Sequence, residues 1–139
     1  MTAFEDFKIN IKLRLAALWT SLMFCYVYGD FFSLFVPGRI QGLMNGNSGA
    51  GETTPVMLLV YAVLLATPAL MIFFSVALKA RMNRLLNIIM GGFFTLVMIL
   101  VTATSLGEWM LFYTFLGIIE IILTCTIVWQ AVKWPTVKQ

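Results

Sequence analysis

Four apolar runs, each about 20 residues or longer, divide this chain almost from end to end. They cover about 13–35, 55–79, 85–105 and 109–132. At 1.5 Å per residue a helix of that length crosses ~30 Å of hydrocarbon. Bilayer interiors admit only structures that satisfy their own backbone, so each run predicts a membrane-spanning helix. Of the 139 residues 61% are hydrophobic and only 11% are charged, and the mean hydropathy is +0.96. A soluble domain of this size cannot bury so much apolar surface. The expected fold is all-α, a four-helix transmembrane bundle forming a single membrane domain over 1–139. The longest polar segment, 37–54, is too short for a separate soluble domain.

The charges sit between the runs. Lys8, Lys12 and Arg14 flank the first run, Lys79, Arg81 and Arg84 lie between the second and third, and Lys133 and Lys138 follow the fourth. A four-span topology collects all of these on one side and leaves Arg39 alone on the other. The positive-inside rule then puts both termini in the cytoplasm, in a multi-pass protein of the cell's inner membrane. The N-terminal run is expected to stay as the first helix: Glu5 and Asp6 interrupt the positive region a signal peptide needs, and no small-x-small site follows. The net charge of +3 comes from these flanking residues, and no basic cluster is dense enough for nucleic acid. The lipid bilayer is the partner the composition implies.

Histidine is absent, and the two cysteines, Cys25 and Cys125, lie inside apolar runs with no metal or redox spacing. No metal, cofactor or hydrolytic machinery is expected. Depths counted along the helices separate the two thiols by roughly 8 Å, beyond disulfide reach. Cys25 is expected to serve as a compact packing residue.

The residue that stands out is Glu120, in the middle of Gly117-Ile118-Ile119-Glu120-Ile121-Ile122-Leu123. A carboxylate in hydrocarbon costs roughly 2.5–3.5 kcal/mol or more, so it should face a bundle interior or a wet cavity. Tyr113, Gly117, Glu120 and Thr124 share one face of the fourth helix. Glu120 falls roughly 16 Å below the outer end, near the midplane, level with Thr95 and with 66–68. No Lys or Arg reaches that depth. Glu120 is therefore expected to be neutral and hydrogen-bonded, either to Thr95 or to a carbonyl freed by Pro68, which cannot donate to Leu64 and should kink the second helix. Two roles stay open: a polar clamp holding the bundle, or a site that binds a proton or a cation.

Other inward stripes follow from the preference of membrane helices for small and polar contacts. The first helix offers Ala17, Ser21, Cys25, Gly29 and Ser33; the second, Tyr61, Pro68 and Ser75; the third, Asn83, Asn87, Gly91, Thr95, Met98, Thr102 and Ser105. Asn87 is expected to cap or cross-link helices near the inner boundary, with Arg84 just outside it. Asp30, roughly 9 Å below the outer end and level with Tyr61, is expected to anchor the helix end or pair with Arg39. The alternative is that Asp30 joins Glu120, Tyr26, Tyr28 and Tyr61 along an outward-facing cavity. The Gly-rich segment 37–54 is expected to be a flexible loop rather than the short turn that 40–44 could form. Short connections make the second and third helices, and the third and fourth, antiparallel neighbours.

Several blocks together resemble a known family. They are Tyr26-x-Tyr28-x-Asp30 before Pro37-Gly38, Arg81-x-Asn83-Arg84-x-x-Asn87, Gly117-Ile118-Ile119-Glu120, and Val128-Trp129 through Lys133-Trp134-Pro135. This pattern resembles a family of small bacterial four-span membrane proteins of unknown function, along nearly the whole chain. In shape it is also similar to the DoxX-like four-helix proteins, a likeness that implies a quinone-binding redox accessory role as one alternative. The leading expectation is a non-enzymatic membrane protein with a buried polar site around Glu120. The other alternative is a small proton-coupled transporter, expected as a homodimer because four helices enclose little space. The ligand stays unidentified.

Overall fold

The computed structural model describes residues 6–49 and 51–135; Glu5 and Lys138 lie outside them. Four long helices are present, and no strand is found among the described residues. They are α1 (Ile11–Ser33), α3 (Pro55–Ala77), α4 (Ala80–Thr104) and α5 (Leu111–Val132), with a short α2 (Arg39–Met44) in the outer loop. A single 3-10 turn, Glu108–Met110, leads into α5. All four long helices are long and apolar enough to cross a membrane.

The helix ends follow local chemistry. Asn10 caps α1, its side chain accepting from the Lys12 amide at 2.9 Å. Thr54 caps α3 in the same way through the Met57 amide, and Pro55 occupies the first turn, where a missing N–H costs nothing. α3 runs through Pro68 to Ala77 as one helix. Only Leu78 and Lys79, both extended, separate it from α4. α4 therefore starts at Ala80, a turn earlier than the apolar run suggests, and Arg81 and Arg84 ride on it.

Two cations finish helices on which they do not reside. Lys12 Nζ donates to the carbonyls of Leu78, at 2.6 Å, and Val76, at 3.3 Å, closing the end of α3. Arg84 donates to Ala131 and Val132 at the end of α5. Each places positive charge where terminal carbonyls carry the negative end of the helix dipole.

α1 packs between α3 and α5, and α4 packs most closely on α5. Glycines set that last contact. A Cβ on Gly91 would come within 2.9 Å of Val128 Cγ2, and one on Gly117 would overlap Thr102 Oγ1. α3 and α4 touch little despite their short turn. The core consists of Leu15, Trp19, Leu22, Tyr26, Met71, Phe94, Met98 and Ile127. The outside is apolar: Leu96, Phe73, Phe115 and Ile122 are all more than half exposed. A shell of that kind is suited to lipid.

The expected small-residue seam of α1 is half wrong. Gly29 is buried against Tyr113 and Leu116, and Cys25 is half-buried, but Ala17 and Ser21 face outward. A strict four-residue step drifts about 40° per step on a 3.6-residue helix. The buried face runs Leu15, Trp19, Leu22, Tyr26, Gly29, alternating steps of four and three. The outer loop also differs from expectation. Gly38, in the left-handed region at φ 78°, starts α2, and Gly42 N–H bonds its carbonyl at 2.9 Å. Glycine permits that entry without a Cβ clash.

Candidate functional site

Two polar clusters occupy the bundle interior, and they differ in how completely their hydrogen bonds are closed.

The first lies at the basic end. Trp19 Nε1 donates to Asn87 Oδ1 at 2.7 Å, crossing from α1 to α4. Ser75 Oγ reaches the same oxygen at 3.4 Å. Asn87 Nδ2 donates to Asn83, to its carbonyl at 2.9 Å and to its Oδ1 at 2.7 Å. Asn83 Nδ2 in turn donates to the Ser75 carbonyl at 2.5 Å. Trp19, Ser75, Asn83 and Asn87 are fully buried. Asn87 thus links α4 to α1. Trp19, the donor that makes the link, has no signal in the sequence beyond its register with Leu15 and Leu22.

The second cluster surrounds Glu120, where α5 meets α1. Glu120 is buried at 7% exposure, and Gly117 and Thr124, one turn to either side, are buried with it. Among the described residues no side chain donates to the Glu120 carboxyl. Thr95 spends its hydroxyl on the Gly91 carbonyl, at 2.8 Å, so the expected Thr95–Glu120 bond is not formed. Thr124 is also satisfied by its own helix, through the backbone carbonyls of Glu120 and Ile121. A hydroxyl at this position needs no neighbouring helix because the carbonyl four residues back accepts its proton.

The groups within electrostatic range of Glu120 are Tyr26 and Cys25 from α1, Tyr113 about two turns back along α5, and Asp30. The Tyr26 hydroxyl is buried and without a hydrogen-bond partner. Its ring packs on Phe94 of α4, with centroids 6.4 Å apart. Asp30 is exposed at the loop end of α1 and closes no ion pair with Arg39, although the two charges act on each other. Arg39 also acts on Tyr113, and its guanidinium lies against Gly49. Asp30, Tyr113 and Glu120 thus form a graded series: exposed, half-buried, buried.

Tyr61 does not join this series. Its hydroxyl meets Ser48 of the outer loop at 3.4 Å. Pro68 is buried on the inward stripe of α3, and no bond links the Leu64 carbonyl it frees to Glu120. Tyr28 stacks beside Phe24 and Phe32 on the outer surface. Both cysteines are free, and no group of three His, Cys, Asp or Glu able to hold a metal occurs among the described residues.

A bundle of four apolar spans, lipid-facing outside and polar at two levels inside, defines a multi-pass membrane protein. The chain belongs to the family described as "Family of unknown function (DUF6326)", whose model matches residues 1–138. No curated protein and no solved structure matches it.

Proposed function

We propose that the protein is a small proton-linked carrier of the bacterial inner membrane, with both termini cytoplasmic, and that Glu120 is its proton site. The observation that carries this reading is the unsatisfied pair at the α1–α5 seam. Glu120 and Tyr26 are both buried at this seam; the Tyr26 hydroxyl has no hydrogen-bond partner, and no side chain among the described residues donates to the Glu120 carboxyl. A clamp is built the other way. Asn87, in the same bundle, takes part in four hydrogen bonds. A carboxyl kept in hydrocarbon at roughly 2.5–3.5 kcal/mol without a partner suits a group whose work is to gain and lose a proton.

The direction of access follows from the same residues. Asp30 and Tyr113 lead from Glu120 toward the loop end. Lys12, Lys79, Arg81, Arg84 and Lys133 lie at the opposite end, which the positive-inside rule assigns to the cytoplasm. On this reading the proton site is reached from the outside face. α3 and α4 bring no competing acid: α4 has no ionisable side chain beyond Arg84, and α3 has only Tyr61.

Infrared difference spectroscopy of the purified protein through a pH titration tests the reading. The wild type should show a carboxyl band that appears and disappears with pH and shifts in deuterated water. Glu120→Gln should lack it while keeping its helix content. A wild-type carboxyl that does not respond to pH while the fold survives would make Glu120 a clamp and refute the proposal.

A further inference from the structure

The outer loop holds a cavity of its own, apart from the helix seams. Segment 37–54 closes on itself through backbone bonds. Asn47 N–H donates to the Gly42 carbonyl at 2.8 Å, Thr53 N–H to the Gly46 carbonyl at 2.7 Å, and Ser48 N–H to the Gly51 carbonyl at 3.0 Å. Asn47 and Glu52 pair as an isolated antiparallel bridge. Against this frame lies an open cavity of about 310 Å³, with Val36, Pro37, Arg39, Asn47 and Gly49 among the residues that line it. That volume falls at the lower end of the roughly 300–1,000 Å³ usual for small-molecule sites.

Arg39 is the charged wall of that cavity, and its charge is unpaired. It is the only Lys or Arg between Arg14 and Lys79. Its Nε is buried without a hydrogen-bond partner, and the guanidinium closes no ion pair among the described residues. A buried charged donor is costly to leave open, so folded chains ordinarily supply it with an acceptor. The guanidinium also has a built seat. A Cβ on Gly49 would overlap Arg39 Nη1 and come within 3.1 Å of its Cζ, and Gly49 is left-handed at φ 87°. Gly49 N–H is held in turn by Asn47 Oδ1 at 2.8 Å, which leaves the Asn47 Nδ2 group to donate elsewhere.

Donors without acceptors define the ligand as an oxyanion. The planar guanidinium fork matches the two oxygens of a carboxylate. A single charge fits best. Three described acids, Asp30, Glu52 and Glu108, lie at this end of the bundle against the one cation, so a dianion would meet net repulsion. Val36 and Pro37 add an apolar wall to the same cavity, suited to a short hydrocarbon or aromatic body.

We infer that the loop cavity binds a small monovalent organic carboxylate. Its two oxygens meet the Arg39 guanidinium, its apolar body lies against Val36 and Pro37, and the Asn47 amide is a second donor in the same cavity. The site belongs to the loop and does not involve Glu120, so it stands or falls independently of the proton-carrier reading.

Fluorine NMR of 4-fluorobenzoate with the full chain in phosphatidylcholine nanodiscs tests it. The line should broaden saturably beyond what empty nanodiscs produce. Butyrate should reverse the broadening, and neutral 4-fluorobenzamide should show none. Arg39→Gln should abolish it with helix content unchanged. Arg39→Lys keeps the charge but not the fork and should weaken binding severalfold. Gly49→Ala, which displaces the guanidinium, should do likewise. Broadening that survives Arg39→Gln, or that the wild type does not show, would overturn the inference, as would equal displacement by sulfate. Should Arg39→Gln lose helix content, unchanged binding in both Arg39→Lys and Gly49→Ala would overturn it instead. Loss of binding on adding a minor fraction of phosphatidylglycerol would give the site to a lipid phosphodiester and sink the carboxylate.

Discussion

Asn87→Leu removes the hub of the basic-end network while keeping the number and branching of its side-chain heavy atoms. Asn87 Oδ1 accepts from Trp19 and Ser75, and Asn87 Nδ2 donates twice to Asn83. Hydrogen bonds between membrane helices are worth about 0.6 kcal/mol each on average, with a ceiling near 1.7 kcal/mol. Two of the four, those from Trp19 and Ser75, cross between helices and give roughly 1.2 kcal/mol. The figure rises toward ~4 kcal/mol because the fully buried Trp19 indole is left with no acceptor. Trp19→Phe removes one bond and keeps most of the edge contact with Phe94, at centroids 6.0 Å apart, so it should cost less. The cycle joining the two variants should return a coupling of ~0.6–1.7 kcal/mol. The assay is unfolding by titration of dodecyl sulfate into dodecyl maltoside micelles, followed by far-ultraviolet circular dichroism. A coupling indistinguishable from zero would mean that the 2.7 Å contact contributes nothing, and the assignment of this cluster as the structural anchor would fail.

Two further outcomes follow from contacts elsewhere. Gly117→Ala should destabilise the bundle by about 1–3 kcal/mol, because its Cβ meets Thr102 on α4, and Gly117→Ala with Thr102→Ala should recover most of the loss in the same titration. Arg84→Gln should cost ~0.3–1 kcal/mol by uncapping α5, read as faster amide exchange confined to 129–132.

Much of this molecule is legible in its sequence because lipid imposes simple demands. Four runs give four helices, and Gly117, Glu120 and Thr124 share the buried face that a 3.6-residue period requires. The failures have physical causes. Thr95 and Thr124 look like partners for a buried carboxyl, yet both hydroxyls close on their own helix, an option invisible in a list of residue types. Ala17 and Ser21 look like a packing seam, but a four-residue ladder rotates off any one face. α2 is hidden by its glycines, although Gly38 is what lets the chain enter it. Trp19 reads as one more large apolar residue until its indole N–H is seen against Asn87. Asp30 joins Glu120 in the sequence only as an alternative, because counting depth along separate helices ignores how those helices pack; Gly29, beside Asp30, is seated against Tyr113 of α5.

The contrast between the two polar clusters bears on how the protein can work. A membrane bundle gains little from hydrophobic association, so close packing and buried polar contacts must hold it together. Here those contacts are unevenly distributed. At the basic end, Trp19, Ser75, Asn83 and Asn87 join α1, α3 and α4, while Lys12 and Arg84 cap neighbouring helices. Toward the loop end, α3 keeps only a half-buried stripe, and its one polar side-chain tie to another element among the described residues is Tyr61 to Ser48. Such a bundle is fixed at one end and free to loosen at the other. Pro68 lies where the two regimes meet, at the first buried residue of the α3 stripe, and its missing N–H leaves that level of the helix one backbone bond short. Motion of α3 above Pro68 would change what reaches Glu120 without disturbing the anchored end. The proposed proton site then sits at the boundary between rigid and compliant halves, where a carrier needs its binding group to be held in place while access to it changes.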